Sequence, residues 1–91
     1  METLFAPGIV QRLIDYYMPL IQGKPMNPKL KNDKHTAQSI KPIDNREGRV
    51  KLSVIHDCSD NQYCARSLDE FLEINEIEKI YDNKGNFKTE L

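Results

Sequence analysis

From Arg49 to Cys58 the chain alternates. Val50, Leu52, Val54, His56 and Cys58 share one side of an extended chain, Arg49, Lys51, Ser53 and Asp57 share the other, and Ile55 alone is out of step. Period two over this length predicts a β-strand with one buried face and one wet face. A helical period precedes it: Ile9, Val10, Leu13, Ile14 and Tyr17 recur on one side, with Gln11, Arg12, Asp15 and Tyr16 on the other. Pro7 suits the first helical position, where its missing N–H costs nothing. Leu4 and Phe5 are placed to staple the start of this helix. Pro19 is expected to stop or kink it at about Met18.

Between these elements the periodicity disappears. Residues 23–48 are punctuated by Pro25, Pro28 and Pro42, and their few apolar residues follow no repeat. Residues 23–35 are so polar that burial cannot offset their ordering entropy, which predicts a mobile loop. Thr36–Ile43 reads as a short edge strand with Pro42 at its end. Asp44–Gly48 then turns the chain into the alternating strand.

Beyond that strand a polar loop, Ser59–Cys64, leads to the capping box Ser67-Leu-Asp-Glu70, with Glu70 reaching back to the cap. Leu68, Phe71 and Leu72 form the apolar face of this second helix, and Asn75 is its expected stop. Ile74, Ile77 and Ile80 would let the helix run on to about Tyr81. The preferred reading is a hairpin, Ile77–Tyr81 and Phe87–Leu91 around Asp82–Asn86, with Gly85 supplying a positive φ. The expected fold is α+β: a small antiparallel sheet of two hairpins packed by two helices, with a long basic connection after the first helix.

Size sharpens this picture. Ninety-one residues make one small domain, 1–91, with a thin stability margin. The apolar fraction of 38% lies below the globular norm of roughly 45–50%, so part of the chain stays outside the core or a second copy completes it. The net charge of −1 hides a split. Lys24–Lys51 holds eight basic and three acidic residues, and Ser67–Leu91 holds seven acidic and three basic. Such a chain can bind a polyanion, pair with itself head to tail, or fold its basic middle onto its acidic end. Two cysteines make no disulfide framework, the N-terminal residues lack the features of a secretory signal, and no apolar run approaches a membrane span. The expectation is a cytoplasmic protein with reduced thiols and no membrane contact.

Candidate chemistry clusters around the alternating strand. His56, Cys58 and Cys64 are the weak candidates for a zinc site, but structural zinc wants four soft ligands in close pairs. His35, the remaining soft ligand, falls in the loop, so no metal and no cofactor is expected. The order His56, Cys58, Arg66-Ser67 invites comparison with the H-C-x5-R-S loop of the cysteine phosphatases. Asp57 separates His56 from Cys58, seven residues rather than five precede Arg66, and the loop has no glycine and carries Asp60. No membership follows. Cys64, beside Arg66 and a helix start, is the better candidate for a reactive thiol. Asp57, Asp60, Asp69, Glu70 and Glu73 read as a wet acidic face and match no calcium loop.

No catalytic constellation or small-molecule substrate site is evident, so the expected function is a non-catalytic protein–protein interaction or regulatory module. Its partner is a protein, including a second copy of itself, met through Ile9, Val10, Leu13, Ile14 and Tyr17. The alternative is a nucleic-acid-binding accessory protein using Lys24, Lys29, Lys31, Lys34, Arg49 and Lys51. These lysines can neutralise phosphates, although the stretch lacks the aromatics on which single strands stack.

Overall fold

A computed structural model describes residues 2–30, 34–44, 47–56 and 65–88. Five elements follow in order: α1 (Pro7–Ile21), β1 (Ser39–Asp44), β2 (Val50–Ile55), β3 (Ala65–Ser67) and α2 (Leu68–Ile74). They form an α+β fold around a three-stranded antiparallel sheet in the order β1-β2-β3.

β2 is the alternating strand, and Val50, Leu52 and Val54 are all buried as its period requires. The opposite face departs from expectation. Ser53 is buried between its ladder neighbours Lys41 and Ser67, and Lys51 and Ile55 are half-buried, so this side is not wet throughout. β1 starts three residues later than predicted and holds Pro42 inside the strand, opposite Leu52. An edge position tolerates this, because the missing N–H has no second neighbour to serve. β3 was not predicted: it occupies the last residues before the second helix, and Ser67 ends the strand while capping α2.

α1 runs through Pro19 to Ile21 instead of stopping near Met18. Proline removes one intrahelical bond. Ile21 is fully buried, and Gln22 N–H donates to the Met18 carbonyl at 3.1 Å, so packing holds the last turn in place. Phe5 goes further than stapling the helix. Its N–H and C=O pair with Val50 at 2.8 and 2.9 Å, adding an isolated bridge to β2. Leu13, Tyr17 and Ile21 from α1, the buried face of β2, and Leu68, Phe71 and Leu72 from α2 form one core.

The Ser67 hydroxyl accepts from Glu70 N–H at 3.2 Å, as the capping box predicts. Glu70, however, turns its carboxylate to the Arg66 guanidinium rather than back to the cap. Asn75 ends α2 and donates its side-chain amide to Phe71 O and Pro25 O. Among the described residues the C-terminal hairpin is a bridge between Tyr81 and Phe87 around the Asp82–Asn86 turn, with Lys88 N–H donating to Ile80 O at 2.9 Å, while the rest of its expected second arm, residues 89–91, lies outside them. The Asp82 carboxylate accepts from the N–H groups of Lys84 and Asn86, which hold it below the usual carboxylate range. Gly85 has φ +80°, as that turn demands.

Candidate functional site

Three segments meet where β2 ends. Ser39 and Ala65 both lie opposite Ile55, and Gln38 N–H donates to the Ile55 carbonyl at 2.9 Å. The connection after α1 delivers His35 to the same place, because its two ends pair with each other. Met26 N–H donates to His35 O at 2.8 Å, Ala37 N–H to Lys24 O at 2.8 Å, and Gly23 N–H to Ala37 O at 2.9 Å. Buried Met26 and Ala37 anchor this pairing in the core. As a result the His35 ring lies 4.6 Å from the His56 ring, tilted by 32°.

His56 continues the buried side of β2 and is only 7% exposed. Its Nε2 atom is buried and has no hydrogen-bond partner among the described residues. Arg66, opposite Val54, projects from the same side of the sheet, since directly paired residues share a face. Its guanidinium meets Glu70 in the first turn of α2, leaving Nε buried and without a partner among the described residues. An unmet buried polar atom costs about 1–3 kcal/mol, so two on one sheet face mark this end of the molecule.

The zinc candidates divide. His56 is placed, while Cys58 and Cys64, with the reactive-thiol reading of Cys64, lie outside the described residues, as do Asp57 and Asp60. His35, expected in the mobile loop, instead has its ring beside that of His56. The signal that could have found it is the pair of apolar positions Met26 and Ala37, which close the connection. Among the described residues no group of three or more His, Cys, Asp or Glu is placed to hold a metal ion.

The basic candidates are not brought together. Lys24, Lys29 and Lys34 are exposed around the connection, and Lys31 lies outside the described residues. Arg49 sits at the far end of β2, about 20 Å away for six extended residues. Its guanidinium lies 3.5 Å from Leu4 O and Lys84 O, beside a cleft of about 420 Å³ that Glu2 and Glu47 also line. Lys51 is 3.8 Å from the Glu2 carboxylate. Nearby acids thus compete with any phosphate for these two cations.

The helix candidates face mainly inward. Leu13 and Tyr17 are fully buried, and Ile9, Val10 and Ile14 are half-buried against the core. The Tyr17 hydroxyl donates to Glu78 O at 2.7 Å and accepts from Ile80 N–H at 2.9 Å, and burial pushes its pKa up to about 12. The exposed apolar side chains of α1 are Tyr16 and Leu20, neither of them singled out by the pattern.

Asp69 is a correction. It is 7% exposed and not part of a wet acidic face. Its carboxylate accepts from Thr3 N–H at 2.6 Å, the Thr3 hydroxyl at 2.9 Å and the Tyr81 hydroxyl at 2.7 Å. Burial, then the bond to Asp69, pushes the Tyr81 hydroxyl far above its ordinary range. Compared with known protein families, curated proteins and solved structures, the chain matches none. No helix among the described residues is long and apolar enough to cross a membrane.

Proposed function

We propose that this chain is a small protein-interaction module that pairs with a second copy of itself through the outer flank of α1, and that it acts by occupying a surface rather than by catalysis. The observation that carries this reading is the exposure of Tyr16 and Leu20, at 41% and 42%, one helical turn apart. Ile9, half-buried two turns earlier, extends the same flank. The Tyr16 ring stands edge-on to Tyr17 at 5.0 Å, so it is held by a core residue and presents a rigid aromatic anchor. Anchors of this type dominate interface energetics.

The competing route to self-association is the outer edge of β1, which ends the sheet among the described residues. Lys41 and Pro42 sit on that strand, and both residue types discourage edge-to-edge pairing. A helix flank repeated across a two-fold axis needs no such edge. One helix pair is a small interface, which places the complex in the transient class.

The test is sedimentation equilibrium of the full chain from about 1 μM to about 1 mM, the range in which a weak dimer forms. A monomer–dimer equilibrium is expected, and Leu20→Glu and Tyr16→Lys should each abolish it while circular dichroism stays unchanged. A chain that remains monomeric throughout, or a dimer indifferent to both substitutions, removes this reading.

A further inference from the structure

We propose that His35 and His56 form a two-imidazole binding site for a borderline divalent transition-metal ion, with Zn²⁺ the representative. The inference starts from an unexplained atom. His56 is more than nine-tenths buried, yet its Nε2 has no hydrogen-bond partner among the described residues. A buried polar atom without a partner calls for a specific explanation, and a bound ion is one. Imidazole nitrogen is a preferred ligand for zinc, copper, iron and nickel.

The second observation is the neighbouring ring. With a Zn–N bond of about 2.0–2.1 Å, each ring centroid stands about 3.2 Å from the ion, so two imidazoles on a tetrahedral ion have centroids about 5 Å apart. The observed separation is 4.6 Å. The difference is roughly half an ångström, which side-chain rotation supplies. Two positions of the ion remain for water or further donors.

Charge does not oppose this reading. Arg66, the guanidinium on the same sheet face, is already paired with Glu70. Lys34, next to His35 in sequence, is exposed.

The two histidines also come from different parts of the fold. His35 belongs to the closed connection after α1, and His56 follows β2 directly. An ion held by both ties the connection to the sheet and stabilises the native state by mass action. At free ion about one hundred times the dissociation constant, the thermal midpoint of a chain this size should rise by about 10 °C or more. This inference does not depend on self-association, because both rings belong to one chain.

The experiment uses the full chain, stripped with a chelator under reducing conditions and titrated with ZnCl₂ against a chromophoric competitor at neutral pH. One Zn²⁺ per chain is expected, with the imidazole C–H resonances of His35 and His56 shifting together. His35→Gln and His56→Gln should each weaken binding by about 100-fold or more, since each removes a ligand, and losing a group that merely orients a ligand already costs about 10–100-fold. Should His56→Gln fail to fold, His35→Gln decides, since that ring is only half-buried. No stoichiometric uptake, or unchanged affinity in His35→Gln, overturns the proposal.

Discussion

Replacing Asp69 separates a buried structural node from an ordinary surface acid. The carboxylate stands in the first turn of α2, where the helix dipole favours negative charge by about 0.3–1 kcal/mol. It gathers three donors from two distant segments: Thr3 N–H, the Thr3 hydroxyl and the Tyr81 hydroxyl. Thr3 belongs to the strand-like segment whose Phe5 bridges β2, and Tyr81 opens the C-terminal turn. Asp69→Ala leaves the Tyr81 hydroxyl, in a residue 2% exposed, with no acceptor. Buried donors left unmet cost about 1–3 kcal/mol each, and the relief of desolvating a carboxylate recovers part of that, so a net loss of about 3 kcal/mol is expected.

Asp69→Asn should behave differently. Its amide oxygen accepts from Thr3 N–H while its NH₂ donates to the two hydroxyls, which reverse their roles. Only charge assistance and the dipole term are lost, about 1–2 kcal/mol. In urea or thermal unfolding followed by circular dichroism, each kcal/mol moves the midpoint by about 4–8 °C for a chain of this size. The alanine variant should therefore fall by about 12–24 °C, and the asparagine variant by about one to two thirds of that. A double-mutant cycle with Tyr81→Phe should return a coupling of about 1 kcal/mol, since the residues touch. If Asp69→Ala changes stability by less than about 0.5 kcal/mol, as wet surface substitutions do, the reasoning fails. It fails equally if alanine and asparagine cost the same.

Two further outcomes are expected from the same unfolding assays. Gly85 has φ +80°, and a Cβ there would lie 2.2 Å from Leu4 O, whereas Gly23 has φ +85° with open space around it. Gly23→Ala should thus cost only the left-handed strain of about 1–2 kcal/mol, and Gly85→Ala clearly more; equal costs would show that the Leu4 contact carries no weight. Above pH 10 the chain should lose stability, because unfolded tyrosines ionise at their ordinary value while burial holds Tyr17 protonated up to about 12 and Tyr81 beyond that. Stability is full below pH 10 and declines as pH rises, by about 1.4 kcal/mol per pH unit for each of the two hydroxyls. Urea midpoints from pH 9 upward check this, and a flat profile between pH 10 and pH 12 would contradict it.

What the sequence announced, it announced through local periodicity. The alternation of Val50, Leu52 and Val54, the helical spacing of Leu13 and Tyr17, the Ser67 cap and the Gly85 turn each depend on residues a few positions apart, and each is present. Asp69 could not be read this way. Its donors stand 66 and 12 positions away, and nothing near Asp69 distinguishes it from Glu70, which is exposed. β3 is three residues long and exists by pairing with β2, so it has no period to detect. The stop expected at Pro19 is absent for a related reason: the local rule is sound, but burial of Ile21 outweighs one lost helical bond.

The histidine pair lies between these cases, and it is where the sequence held more than periodicity extracts. Every β1–β2 pair is symmetric about Glu47, inside the turn the composition already marked at residues 44–48. Continuing that register one step past Ile55 sets His56 against Gln38, whose N–H donates to the Ile55 carbonyl. His35 stands three positions short of Gln38. What the pattern lacked was a reason for the chain to stay there rather than leave as a loose loop. Met26 supplies it: fully buried and donating to His35 O, it turns the connection back toward the sheet. The long connection is therefore partly core. Met26→Ala should cost about 2–5 kcal/mol, as large-to-small changes in a packed interior do, and a loss that small side chains in a solvated loop would show, below about 0.5 kcal/mol, would return His35 to the solvent and remove the geometry on which the metal proposal stands.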